Sequence, residues 1–197
     1  VDKPLNFSTY KLFDKKVLQE QFIAVHQLSK NSLIDNKILF DHVAKSKKQD
    51  LRLRPEHWYS DFFYFKLEEI KHMTWLTTYF KDHYLVECDQ LLKLHFSSGI
   101  YLEKNESMGS HHHIDDWNYE DSPDLSLIYC VDQGEKPCEV IFEYEYGRHK
   151  KRRYAVTLQK GRFVAFPSYL RHSITQNKNK KPFVGLSLRF QNEFRNN

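Results

Sequence analysis

The chain has 197 residues and a mass of 23.8 kDa. One domain is expected at that length, able to bury about 70% of its unfolded surface without disulfide or metal staples. Hydrophobic residues make up 40% and charged residues 28%, with Gly and Pro at six each, which excludes collagen-like and linker-like sequence. The longest aromatic run, Phe62 to Phe65, is four residues, so no bilayer span is expected, and no secretory apolar region opens the sequence. Cys88, Cys130 and Cys138 have no close CxxC spacing and read as free thiols, from which a reducing, cytoplasmic setting is expected. The formal charge of +4 permits anionic contacts without specifying nucleic acid.

In chain order, Phe13, Val17, Phe22, Val25 and Leu28 recur at roughly helical spacing and predict a first helix. A second helix is predicted from Leu33 to Ala44, followed by a polar basic stretch to Arg54. A third is predicted from Lys66 to Asp82, with Leu67, Ile70, Thr74, Thr77 and Phe80 on one face. The second half changes period. Leu92, Leu94 and Phe96 alternate with polar residues. So do Val140, Phe142, Tyr144 and Tyr146, and Tyr154, Val156 and Leu158. Leu125 to Cys130, Arg162 to Phe166 and Phe183 to Phe190 add three more strands. The basic run Arg148 to Arg153 is placed at a hairpin tip beside Gly147. The expectation is a mostly β fold with a helical layer, in which helical support (about 1–90) buttresses a jelly-roll core (about 91–190) within one domain over 1–197.

Two segments carry the chemistry-bearing residues. One reads Ser110-His111-His112-His113-Ile114-Asp115-Asp116-Trp117. The other runs from Gly161 through Phe166-Pro167 to His172. His113 and Asp115 are two apart, which on extended chain puts both on one face. His172 follows His113 by 59 residues, just after a strand and a proline turn. Two imidazoles and one carboxylate that converge from such positions form the facial triad that suits non-haem Fe(II). The carboxylate offsets one metal charge, and three positions stay open. His111 and His112 read as surface residues or as outer neighbours of the ligands.

The stretch from Tyr101 to Phe190 resembles the 2-oxoglutarate- and Fe(II)-dependent oxygenase superfamily, nearest to prolyl-hydroxylase-like members. The resemblance rests on His113-x-Asp115, the strand Leu125 to Cys130, the strand Val140 to Tyr144, and the segment from Gly161 to His172. It implies a double-stranded β-helix, a cupin-like barrel, with His113, Asp115 and His172 as iron ligands. It also implies 2-oxoglutarate and O₂ as co-substrates, ascorbate as an auxiliary reductant, and release of succinate and CO₂. A cation should hold the distal carboxylate of 2-oxoglutarate. Lys181, nine residues after His172, and Arg189, seventeen after it, are the two candidates, with Tyr101 and Tyr129 as assisting hydroxyl donors. The implied reaction is hydroxylation of a C–H bond in a protein side chain or a free amino acid. Nucleic acid is a permitted but less favoured substrate, and oligomeric state is left open. The alternatives are a cupin-type metal enzyme built on His111-x-His113 and His172, which would not use 2-oxoglutarate, and a non-catalytic binding barrel.

Overall fold

The structure is a computed structural model, and it describes residues 14–18, 21–28, 34–53, 62–64, 78, 80, 92–114, 117–118, 120–146 and 150–192. The elements in chain order are β1 (Asp14–Leu18), β2 (Gln21–Gln27), α1 (Asn36–Leu53), β3 (Phe62–Tyr64), β4 (Leu92–Leu102), β5 (Met108–His111), β6 (Leu125–Asp132), β7 (Glu139–Tyr146), β8 (Lys150–Thr157), β9 (Arg162–Pro167), β10 (Arg171–Ile174) and β11 (Phe183–Asn192). They form a seven-stranded sheet in the order β1-β2-β9-β6-β11-β4-β3 and a four-stranded sheet in the order β5-β10-β7-β8. Every pairing is antiparallel.

The large sheet separates two apolar layers. Leu125, Leu127, Tyr129 and Val131 of β6 point one way and join Leu39 and Val43 of α1, Phe163 of β9, and Val184, Leu186, Leu188 and Phe190 of β11. The alternate residues Ile128 and Cys130 point the other way. There they meet Ile100, Val164 and Phe166 of the same sheet and Met108, Val140, Phe142, Val156 and Ile174 of the small sheet. This two-sided burial is why β6 reads as a nearly unbroken apolar run. The second layer lies between the two sheets and is called the interior below.

Register fixes which residues line the interior. Ser98 of β4 faces Ser187 of β11, and Phe96 faces Arg189. The pairing then slips, so that Phe190 meets Leu94 and His95 is the extra residue of a bulge. The slip sends Leu92 and Leu94 to the helix-facing layer, while Ile100 and Leu102 sit in the interior.

Three sequence expectations are corrected. The first helix is instead the β1–β2 hairpin, with β2 paired to β9 at the side of the large sheet. In β2 Ile23 joins the interior and Ala24 the helix-facing layer, so the β-branched and aromatic residues of Gln21–Gln27 follow a period of two rather than 3.6. The second helix extends to Leu53 through the basic stretch. It begins after Asp35, whose carboxylate accepts from the N–H groups of Lys37 (2.8 Å) and Ile38 (3.4 Å) as an N-cap. The hairpin expected around Gly147 forms between β7 and β8, with Tyr146 opposite Lys150, but the basic residues Lys150 to Arg153 belong to β8, and positions 147–149 lie outside the described residues. Of the third predicted helix only positions 78 and 80 are described, both helical, and Phe80 packs in the helix-facing layer. Gly161 has φ +80°, a conformation that favours glycine, and its carbonyl accepts from the Leu28 N–H at 2.9 Å, which ties β2 to the turn before β9.

Candidate metal centre

His172 lies on β10 directly opposite Phe142 of β7 and His111, the last residue of β5. The turn before it is set by Pro167, whose carbonyl accepts from the Leu170 N–H at 2.9 Å. His113 follows β5 by two residues. Its backbone N–H donates to the Ser168 carbonyl at 2.9 Å, which pins the post-β5 loop to the turn after β9. Two loops from different sheets are thereby brought together.

The result is a cluster of three imidazoles. Ligand-capable nitrogens of His111, His113 and His172 lie within 4.8 Å of one another. Ring centroids are separated by 4.3 Å (His111–His172), 4.7 Å (His113–His172) and 5.2 Å (His111–His113). Metal–nitrogen bonds of about 2.1 Å place neighbouring ligands about 3 Å apart, so modest side-chain rotation closes the set around an ion. Phe166, at 4.6 Å from the His172 ring, and Phe142, at 6.2 Å, form an apolar wall behind it.

Hydrogen bonding aims the ring nitrogens. His172 Nδ1 donates to the Leu170 carbonyl at 3.0 Å and His111 Nδ1 to the Gly109 carbonyl at 2.9 Å. A carbonyl only accepts, so the proton of each neutral ring sits on Nδ1 and Nε2 keeps its lone pair. The Nε2 of His172 is buried and has no hydrogen-bond partner among the described residues. An orphaned buried acceptor of this kind is costly unless something binds it. The donor set therefore fits a divalent transition metal.

Electrostatics point the same way. Burial pushes His172 down to about 3, aided by the charges of His111 and Arg189 and opposed by the Leu170 hydrogen bond. Burial, with the Arg189 charge second, holds His113 far below the usual histidine range. His111 is also lowered, again mainly by burial. Neutral imidazole is the ligating form, so the rings are ready at neutral pH without losing a proton.

The predicted site residues divide. His113 and His172 come together. Asp115, the expected third ligand, lies outside the described residues. Arg189 belongs to the interior: its guanidinium stacks on Phe96 at 4.7 Å, and its charge bears on all three histidines. Lys181 is exposed in the loop before β11 and lines a surface cavity of about 710 Å³ with Lys104, Asp132 and Asn179. Eight residues of extended chain, about 26 Å, separate it from Arg189. The two tyrosines lie on the other face of the sheet. Tyr129 faces α1 and donates to Asn36 Oδ1 at 2.7 Å, and Tyr101 packs on the same side beneath Lys47, whose Nζ is 4.4 Å from the ring centroid. Both are one residue out of phase with the interior. Trp117, four residues after His113, is 97% exposed.

His111, a surface or outer residue in the favoured sequence reading and a ligand only in the cupin alternative, joins the cluster. Its signal was available: His111 and His113 have the same two-residue spacing that favoured His113 with Asp115.

No protein-family model and no curated protein sequence matches the chain. Solved structures do. The chain is similar to SnoK, a non-heme alpha ketoglutarate dependent carbocyclase from nogalamycin biosynthesis, at 11% identity, 87% coverage of this chain, 79% of that one and a TM-score of 0.58. HygX from Streptomyces hygroscopicus, solved with iron bound, is 10% identical over 87% of this chain and 83% of its own, with a TM-score of 0.57. The epimerase SnoN, solved with Fe3+, alpha ketoglutarate and nogalamycin RO, is 14% identical over 86% of this chain and 78% of its own, with a TM-score of 0.53. At these identities the likeness is one of fold. The chain shares the two-sheet fold of these proteins, and a prolyl-hydroxylase-like branch is not singled out among them. Among the described residues no helix is long and apolar enough to cross a membrane, and Cys130 and Cys138 are buried free thiols.

Proposed function

We propose that the protein is an Fe(II)- and 2-oxoglutarate-dependent oxygenase that hydroxylates a C–H bond of an amino acid, free or within a protein. The carrying observation is the convergence of His111, His113 and His172 inside a fold shared with such enzymes, with Arg189 on the adjoining interior face. His113 and His172 hold the metal, and the third protein position falls to His111 or Asp115. Iron with bound 2-oxoglutarate supplies oxidative decarboxylation to succinate and CO₂ and leaves one oxygen atom of O₂ for the substrate. The protein's own residues orient and shield. Arg189 anchors the distal carboxylate of 2-oxoglutarate, because an unpartnered buried carboxylate costs several kcal/mol. Phe142 and Phe166 exclude water behind the ligands. The amino-acid substrate class rests on the likeness of the His113-to-His172 stretch to prolyl-hydroxylase-like sequences.

The test is succinate formation by purified protein with Fe(II), ascorbate, O₂ and 2-oxoglutarate, beside H111A, H113A, D115A and H172A. Loss of turnover in H113A and H172A is expected, and whichever of H111A and D115A also loses metal identifies the third ligand. His111 favours a second reading, a cupin-type three-histidine metal enzyme. Metal binding with neither turnover nor affinity for 2-oxoglutarate would establish that reading in place of the first.

A further inference from the structure

The three imidazoles are not held alike. His111 and His172 each donate to a backbone carbonyl, which leaves their tautomers no choice. His113 Nδ1 instead lies 2.6 Å from the hydroxyl of Ser126, which lies 2.7 Å from the hydroxyl of Ser168. A hydroxyl both donates and accepts, so this partner orients the ring without dictating by itself which nitrogen carries the proton.

Both serines are 0% exposed. Ser126 sits on β6 between Leu125 and Leu127, which face the helix layer, so its own side chain points into the interior. Its register partners are Phe166 on β9 and Arg189 on β11. Ser168 touches His113 a second way, through the carbonyl that accepts the His113 N–H, and its own N–H donates to the Asp124 carbonyl at 3.0 Å. Two hydroxyls of a fully buried layer are thus spent on one ring. Neither was singled out by the sequence.

We infer that Ser126, backed by Ser168, is a positioning residue for the metal centre: it accepts the Nδ1 proton of His113 and so presents the Nε2 lone pair to the ion. The inference rests on the metal-site reading above but not on the use of 2-oxoglutarate. When Nε2 bonds a metal, Nδ1 must carry the proton, Ser126 accepts it, and the Ser126 proton turns to Ser168. With Ser126 truncated, Nδ1–H loses this acceptor and the hold it gives on the ring's orientation. Loss of such an outer partner typically weakens metal binding 10- to 100-fold.

The experiment measures Co(II) affinity of the full chain by visible absorption titration, without 2-oxoglutarate, for wild type, S126A, S126T and S168A. Thermal unfolding of each metal-free protein is followed in parallel. Expected are a 10- to 100-fold rise in Kd for S126A, near-wild-type affinity for S126T, which keeps the hydroxyl, and a smaller rise for S168A. In the Zn(II) form of the wild type, long-range ¹H–¹⁵N spectra should show the His113 proton on Nδ1. Wild-type affinity in S126A, a loss in S126T as large as in S126A, or a proton on Nε2 of His113 would each overturn the inference. The spectra need no variant, so the inference remains falsifiable if S126A does not fold. Absence of metal binding by wild type would defeat the metal-site reading itself, a result distinct from equal binding by wild type and S126A.

Discussion

The two faces of the seven-stranded sheet are made from the same strands and put to opposite uses. Toward α1 the residues of β6, β9 and β11 include Leu125, Leu127, Tyr129, Phe163, Leu186, Leu188 and Phe190, an apolar layer in which the Tyr129 hydroxyl donates to Asn36. Toward the small sheet the same strands carry Ser126 opposite Arg189 at one end, then Ile128 between Ser187 and Val164, and then Cys130. One residue of phase separates packing from chemistry. Position along the strand matters as much, since the polar groups cluster beside the histidines.

That contrast yields predictions on both faces. The largest effect belongs to the interior. H172A should weaken Co(II) binding by more than the roughly 100-fold typical of outer-partner losses and abolish succinate formation, as read by absorption titration and turnover. R189M should raise KM for 2-oxoglutarate about 30-fold, in line with about 2 kcal/mol for a lost charge partner, while leaving Co(II) affinity near wild type. A similar rise in K181M with no effect in R189M would reverse the assignment of the anchor.

The third prediction concerns acid. His172 is held at about 3 in the folded protein against an ordinary 6.5. Above pH 6.5 both folded and unfolded forms are neutral there, so the group has no effect. Below it the unfolded chain takes up a proton that the folded chain refuses, and stability falls by about 1.4 kcal/mol per pH unit until near pH 3. Burial of His113 acts in the same direction. Urea unfolding of metal-free protein between pH 7 and 4 should show the decline, and H172F should flatten it.

The smallest effect belongs to the helix-facing side. Y129F removes the hydrogen bond to Asn36 and should cost about 1 kcal/mol of stability with KM for 2-oxoglutarate unchanged. A raised KM would place Tyr129 in the co-substrate site and break the comparison.

The same phase problem explains what was legible in the sequence. β4, β6, β7, β9 and β11 announced themselves through alternation or apolar runs, and the His113 and His172 segments through spacing. β5 and β10, four residues each, carry histidines and serines in place of a hydrophobic pattern, yet they deliver His111 and His172. The resemblance offers Tyr101 and Tyr129 as assisting donors by their place on flanking strands, but β4 and β6 carry buried residues on both faces, and the sequence pattern does not say which face each tyrosine occupies. The bulge at His95 shifts phase within β4, which no propensity signals. Ser126 looked like filler among apolar neighbours. Its importance comes from His113, thirteen residues earlier in the chain, and from Ser168, forty-two residues later. The β1–β2 hairpin was misread because five apolar residues happened to fall at near-helical intervals across a turn.

One feature bears on how copies of the molecule meet. Among the described residues β8 is the outer strand of the small sheet, and its first four residues, Lys150, Lys151, Arg152 and Arg153, are all cationic and exposed, with Arg153 paired at 3.0 Å to Glu143 of β7. An open strand invites another strand to dock, and a row of like charges repels a second copy of itself. Colloidal behaviour is thereby tied to ionic conditions: the reach of that repulsion falls from about 30 Å at 0.01 M salt to about 3 Å at 1 M, and a polyanion laid along β8 would cancel it. Concentrated protein should stay dispersed in dilute buffer and self-associate as the cations of β8 are screened.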